Sequence, residues 1–183
     1  CGKNGILPEP ADNMIRFSAT VIDGASRALL ESDDIQTEGT VVKICGYAGG
    51  NLLSDGGTPA TTMSAMALTC GNDGEWTLPK TFKWQYNTDH LFYGWLDTDA
   101  RSGLTASGFF SYSSTDRQIT IPAKTLGISD SHLDFAYSDV VTRSTSMADY
   151  STVVLPMEHL FTSFSLAAHN YTTSGITISS VKL

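Results

Sequence analysis

Apolar and polar side chains alternate along much of this chain, which is the pattern of β-strands that bury one face. The longest alternating run lies between His132 and Asn170. Within it the pattern predicts strands at residues 133–137 and 153–166, on either side of a polar interval that contains Arg143.

An earlier strand is predicted over residues 14–22, in which every second side chain is apolar. The alternating residues are Ile15, Phe17, Ala19 and Val21. Further strands are predicted at residues 40–48, 61–70, 76–78, 82–86, 91–96, 106–112, 118–121 and 176–183. Many short strands with turn signals between them predict an all-β fold, an antiparallel β-sandwich or barrel.

One segment also fits a helix. Met157, Leu160, Phe161 and Phe164 recur at a helical spacing, and Pro156 suits a first helical turn. The β-branched residues that precede them and the Ser/Thr/Phe alternation that follows favour a strand. We therefore predict a strand here, with a β-bulge or bend near the histidine at position 159 and with one helical turn as the alternative within it.

Composition and charge exclude some classes of function. The chain has 183 residues, of which 41% are apolar and 16% charged, as in an ordinary globular domain. Its net charge of −8 and sequence pI near 4.7 argue against non-specific binding to nucleic acid or to anionic lipid headgroups. It contains no apolar run of the length that a transmembrane helix needs.

The chain begins at Cys1, followed by a polar, proline-containing leader that extends to Asn13. A mature bacterial lipoprotein begins in this way, with its lipid on the cysteine. We therefore expect residues 1–13 to be a lipoprotein tether and residues 14–183 to be the folded domain. The alternative is a sequence boundary that happens to fall on a cysteine.

Cys45 and Cys70 each lie in a predicted strand. In an exported protein the two can pair as a disulfide. They can equally be two small buried hydrophobic residues. The sequence leaves both readings open, because it does not give the Cα separation that a disulfide demands.

Catalytic and metal-binding motifs are absent from the sequence. The four histidines share no metal-ligand spacing, and no cysteine pair accompanies them. The loop Asp97–Gly103 resembles a calcium loop, but Ser102 and Gly108 occupy the positions that require glycine and glutamate. Asp134 and Glu158 have no fixed separation that would make them an acid/base pair. We expect no enzymatic activity, no metal and no cofactor.

Aromatic residues concentrate in one part of the chain. They are Trp76, Phe82, Trp84, Tyr86, Phe92, Tyr93 and Trp95. On strands, alternate members of such a set belong to the core. Members of the opposite phase can form a platform on which sugars stack, so a glycan-binding surface lipoprotein is the alternative function.

Several ordered motifs resemble those of the fimbrillin-like pilins. The central one reads Asp134-Phe135-Ala136-Tyr137, then Val153-x-Leu155-x-Met157-x-His159-Leu160-Phe161-x-x-Phe164-x-Leu166. Those that agree with it are Ile15-x-Phe17-x-Ala19 with Ser26-Arg27-Ala28, Trp84-x-Tyr86 with Leu91-Phe92-Tyr93-Gly94-Trp95, and the first residue, Cys1. The resemblance covers nearly the whole chain, and the order and spacing of the motifs carry it.

The resemblance implies a lipoprotein exported to the outer membrane, with a transthyretin-like β-sandwich of Greek-key type. In that family an arginine-specific protease removes the first strand with its tether. A strand from the next subunit then fills the exposed groove by β-strand addition and builds a cell-surface fimbrium that supports adhesion. The resemblance therefore implies other pilin subunits, the protease and the outer-membrane lipid as partners.

By its position Arg27 matches the cleavage site of the family, just beyond the first strand. Arg16 is less suited, because it lies within the strand, where a protease cannot easily engage the backbone. Family members usually have two domains, and this chain has motifs of the first domain only. The donor strand is expected from the second domain, so an anchor or tip subunit is the alternative to a polymerising stalk subunit.

Overall fold

The computed structural model of the chain describes residues 13–22, 35–99, 104–105, 111–120, 136–144 and 151–159. These residues form β-strands and essentially no helix. The strands are β1 (Phe17–Val21), β2 (Val41–Ala48), β3 (Asn51–Leu52), β4 (Met66–Cys70), β5 (Trp76–Thr77), β6 (Asp89–Asp99), β7 (Leu104–Thr105), β8 (Ser111–Ser113), β9 (Gln118–Thr120), β10 (Ala136–Ser138), β11 (Val141–Ser144) and β12 (Val153–His159).

The main sheet closes on itself like a barrel. Its strands follow the order β6, β10, β12, β1, β5, β4 and β2, and β2 returns to pair with β6. Every pairing in this ring is antiparallel except that of β1 with β12, which is parallel. Strands β7 and β11 extend the pairing of β6, β3 pairs with β2, and β8 and β9 form a separate hairpin. Closure removes the exposed edges that an open sheet would present.

The long antiparallel pair of β2 and β6 is the framework of the ring. Its register runs from Val42 opposite Leu96 to Ala48 opposite His90. The period-two pattern of β2 places Val42 and Ile44 on one face and Cys45 on the other. Each face of this pair therefore has an apolar cluster of its own.

The larger cluster fills the interior of the ring, and we call it the main core. Phe17 of β1 meets Phe92 of β6 edge to face, with ring centroids 5.2 Å apart, the geometry that aromatic quadrupoles favour. Its largest fully buried apolar side chains are those of Ile35, Ile44, Leu53, Met63, Leu68, Phe82, Phe92, Leu155 and Met157. Strands from early and late parts of the chain thus share one core.

The all-β prediction is confirmed, and the sheet is strand-rich and closed. The strands predicted at residues 14–22 and 40–48 correspond to β1 and β2. The strand predicted from residue 153 is confirmed up to His159, where β12 ends. The remainder of that prediction, the bend near His159 included, lies outside the described residues, as do residues 1–12 of the expected tether and the strand predicted at 176–183.

Two predictions about the strands are wrong. Residues 82–86 form no strand: Lys83 makes one isolated bridge to Met14, while Phe82 and Trp84 turn their side chains into the main core. The alternation there reflects burial of extended backbone without a continuous ladder. Conversely, the polar interval that contains Arg143 forms β11, which pairs with β6. Its side chains are half-buried or exposed, so hydrophobicity gave no signal.

Candidate functional site

The first strand supplies a continuous apolar row to the main core. Ile15, Phe17, Ala19 and Val21 are all buried, and the side chain of Ala19 is completely inaccessible. The intervening positions from Arg16 to Ile22 are half-buried or exposed. This is the alternation predicted for a strand that covers a hydrophobic groove with one face.

One edge of β1 is fully paired. It runs parallel to β12, with a register from Phe17 opposite Val153 to Val21 opposite Met157. At the start of the pair the N–H of Val153 donates to the carbonyl of Arg16 at 2.8 Å. At its end the N–H of Ile22 donates to the carbonyl of Met157 at 2.9 Å. Strand β12 therefore holds β1 along its whole length.

The opposite edge of β1 is paired much less. Phe17 opposite Trp76 is the single register pair between β1 and β5. Strand β5 stops at Thr77, shortly before Pro79, which has no N–H for a ladder. Pairing resumes only where the N–H of Ile15 donates to the carbonyl of Phe82 at 2.9 Å. We call this incompletely paired boundary between β1 and β5 the seam.

A cavity of about 180 Å³ lies at the seam, near the Met14 end of β1. Ile15, just before β1, and Phe17 of β1 line it on one side, and Trp76 and Leu78 line it from β5 and the segment that follows. The ring thus has a void beside β1, on the side where β1 makes a single register pair.

Burial makes β1 indispensable to the folded chain. Removing a side chain such as those of Ile15, Phe17 or Val21 from water contributes about 1.5–3 kcal/mol each. Together the three contribute on the order of 5–9 kcal/mol, which is comparable with the whole stability of a typical domain. Loss of β1 without replacement would therefore unfold the ring, whereas exchange for another strand of the same pattern would preserve it.

The remaining predicted site residues fall in different places. Cys1 and Arg27 lie outside the described residues. Cys45 and Cys70 are both free thiols, and the disulfide considered from the sequence is not present. Cys70 belongs to the main core, whereas Cys45 points to the other face of the sheet. Side chains on opposite faces of one sheet cannot meet the distance that a disulfide requires.

The second face of the β2–β6 pair has an aromatic cluster under the β8–β9 hairpin. The rings of Tyr47 and Tyr93 are stacked at 6.1 Å, and the hydroxyl of Tyr47 lies 2.6 Å from that of Tyr112 in the hairpin. The guanidinium of Arg117 lies 4.9 Å from the centroid of the Tyr47 ring, a cation–π contact. Burial is the main cause that raises the pKa values of Tyr93 and Cys45.

This cluster corresponds to the aromatic platform considered from the sequence. Tyr93 and Trp95 do have the opposite phase to Phe92, as the alternation predicted. They are nevertheless buried, with 6% and 5% of their surfaces exposed, because the hairpin covers them. Tyr86, by contrast, is 69% exposed. In the described part of the chain the opposite-phase rings do not form an open sugar-stacking surface.

The described residues contain no cluster of three or more metal-ligating side chains. His90 is completely buried, with its ring against that of Trp84 at a centroid distance of 4.9 Å. Its Nε2 accepts the N–H of Gln85 at 3.1 Å, and its Nδ1 lies 2.9 Å from the carbonyl of Thr88. A neutral imidazole protonated at Nδ1 satisfies both bonds. His90 thus joins a loop to the core.

We expect His90 to make the chain less stable in mild acid. Burial lowers its pKa from 6.5, so below about pH 6.5 the unfolded chain binds a proton that the folded chain resists. The contribution is complete above that pH and is lost as pH falls towards the folded pKa. The free energy of unfolding should fall by up to about 1.4 kcal/mol per pH unit there.

The measurement is urea unfolding between pH 7 and pH 5, compared with the variant His90→Gln. An amide can accept from Gln85 and donate to Thr88 without titrating, so this variant should have the shallower slope. Equal slopes for the two proteins would contradict the assignment.

Sequence reasoning missed the seam and the hairpin contacts. The seam depends on where β5 stops, and Pro79 was the available signal. The positions of Tyr112 and Arg117 over β2 depend on a tertiary contact between segments more than sixty residues apart. A three-residue strand such as β8 is too short for its sequence pattern to predict which segment it contacts.

Comparisons with known proteins add no relative: no protein-family model, no curated protein and no solved structure matches this chain. In the part of the chain that the structure describes, no helix has the length and apolar character of a membrane span. The resemblance to fimbrillin-like pilins therefore rests on the ordered motifs of the sequence, and function must be argued from the geometry of β1.

Proposed function

We propose that this chain is a structural or accessory subunit of cell-surface fimbriae, assembled by protease-triggered strand exchange. In this proposal the chain is tethered at the outer membrane through Cys1 and has a transthyretin-like sandwich fold. Cleavage at Arg27 separates β1 from the rest of the chain, and a strand from another subunit takes its place. The resulting chain of subunits supports adhesion.

The observation that carries the proposal is the geometry of β1. Four alternating side chains of β1 and the residues just before it cover the main core. Strand β1 is also the first of the described strands, so one cut after it separates it from all the others. Full pairing with β12 and a single pair with β5 make it replaceable from one side. Backbone hydrogen bonds to β12 would supply the affinity for the incoming strand. The pockets that the side chains of Phe17 and Val21 now occupy would set its register.

Cleavage at Arg27 would remove the covalent connection without removing any buried contact of β1. The released segment, residues 1–27, would stay bound by its apolar face until a competing strand displaced it. Loss of residues 1–27 without a replacing strand would expose apolar surface and an unpaired β12 edge, both of which favour association. The domain would thus remain folded before cleavage and become competent to assemble afterwards.

Limited proteolysis with an arginine-specific protease tests this proposal. We expect cleavage at Arg27, and no cleavage at Arg16, whose carbonyl is bonded to Val153 within the β1–β12 pair. With excess peptide of the sequence of residues 13–22, the cut chain should lose its own first strand and capture the peptide. Without peptide the cut chain should keep residues 1–27 bound. Intact mass and size exclusion give both readings.

The control is Arg27→Lys, which should resist the protease and stay monomeric. A cut chain that keeps residues 1–27 bound and stays monomeric in excess peptide would overturn the proposal. So would resistance of the folded wild-type chain at Arg27.

A further inference from the structure

The geometry points to the cavity at the seam as the place where a replacing strand first docks, with a preference for a strand whose leading end bears carboxylates. This inference rests on the proposed function and specifies how exchange begins. The incoming strand would be a segment of another subunit that has acidic residues ahead of its alternating apolar residues.

The pairing of β1 decides where exchange can start. Along β12 every register position of β1 is occupied, so a new strand finds no free partner there until β1 has left. At the seam only Phe17 is paired with β5, and the backbone opens again before Ile15 meets Phe82. A strand that docks in this gap can replace β1 one residue at a time, so the whole apolar row is never exposed at once.

The cavity also has room and apolar surface for a first side chain. It holds about 180 Å³, enough for an aliphatic or small aromatic group. Its walls include Leu78 and Trp76, which belong to the same side of the ring as the main core. A side chain inserted here would point to the same face of the strand as Ile15 and Phe17. As β1 leaves, the following side chains of the incoming strand would enter the pockets that Ile15 and Phe17 vacate.

Charge gives the cavity its preference. Among the described residues that line it, Arg16 and Lys80 are cationic and none is acidic, although the whole chain carries a net charge of −8. The N–H groups of Thr61 and Gly57, and to a smaller extent the charge of Lys80, lower the pKa of Asp55, so this carboxylate is ionised and offsets part of the Lys80 charge. Two cations at one rim of an acidic chain attract carboxylates and steer them to the start of β1.

The test measures strand exchange on the full chain cut at Arg27, with fluorescent peptides of residues 13–22. One peptide carries Asp-Glu before the sequence, and the other carries Lys-Lys. The acidic peptide should exchange about tenfold faster at low salt, and the difference should shrink as salt screens the rim. Lys80→Glu should reverse the preference. Lys83→Glu makes the same change of charge outside the cavity lining, at an exposed lysine whose backbone bridges Met14, and should change the ratio of the two rates less than Lys80→Glu does.

A second variant tests the cavity itself. Thr81 is exposed and lines the cavity, so Thr81→Trp should fill it without disturbing the core, and exchange should slow by about tenfold with the same final binding. Thr115→Trp, at an exposed turn of the β8–β9 hairpin, is the control. Unchanged rates and no peptide preference, with exchange still complete, would overturn this inference alone. Absence of exchange with every peptide would overturn the proposed function as well.

Discussion

The substitution Gly94→Ala should destabilise the chain by about 3 kcal/mol, near the upper end of the usual cost of overpacking. Gly94 lies in β6 opposite Ile44 of β2, where the two backbones are in close contact. A Cβ at this position would lie 2.5 Å from the carbonyl oxygen of Lys43 and 3.2 Å from Cγ1 of Val42. The oxygen belongs to the β2 backbone, so it can move only if the central pair of the ring separates.

The matched control is Gly46→Ala, in the facing strand. There the new methyl group would collide mainly with the sulfur of Met63, and Phe92 would be 3.1 Å away. A thioether side chain has three rotatable bonds and can move aside, so the loss should be smaller, about 1–2 kcal/mol. Urea unfolding with an unchanged m-value measures both. Equal losses for the two variants would contradict the backbone-contact explanation.

The strands that cover the main core were predictable because one face of each is buried. In the segment from Ile15 to Val21 the apolar row alternates with polar residues, and in β12 the buried Val153, Leu155 and Met157 alternate with exposed or half-buried residues. Alternation reports burial on one side, and burial on one side is what a closed sheet imposes. For that reason the first strand, which the proposed function treats as the displaced one, was recognisable from the sequence alone.

Features that depend on pairing partners were not predictable. Strand β11 has half-buried and exposed side chains, and it forms a strand because its backbone pairs with β6. Phe82 and Trp84 mimic a strand because both are buried, yet only Lys83 makes a bridge. The parallel pairing of β1 with β12, the seam, and the separation of Cys45 from Cys70 by a sheet depend on topology that no local pattern contains.

The substitution Ala19→Glu should prevent β1 from docking, with a loss on the order of 3–5 kcal/mol. Ala19 is completely buried opposite Leu155, so a carboxylate here would enter the main core without a partner. Ser18→Glu introduces the same charge one residue away, opposite Val154 on the outer face, and should change stability by no more than about 0.5 kcal/mol. Urea unfolding of the full chain measures the difference.

The same pair of substitutions, placed in the peptide, tests in the exchange experiment whether the apolar face of β1 determines binding. This experiment does not require an altered chain to fold. A peptide of residues 13–22 with glutamate at the position of Ala19 should fail to displace β1, whereas one with glutamate at the position of Ser18 should displace it as the unaltered peptide does. The reason is that a one-residue shift moves the charge from the core face of β1 to the outer face. If both glutamate peptides displaced β1 equally well, its apolar face would not determine binding. The groove would then accept strands by backbone pairing alone.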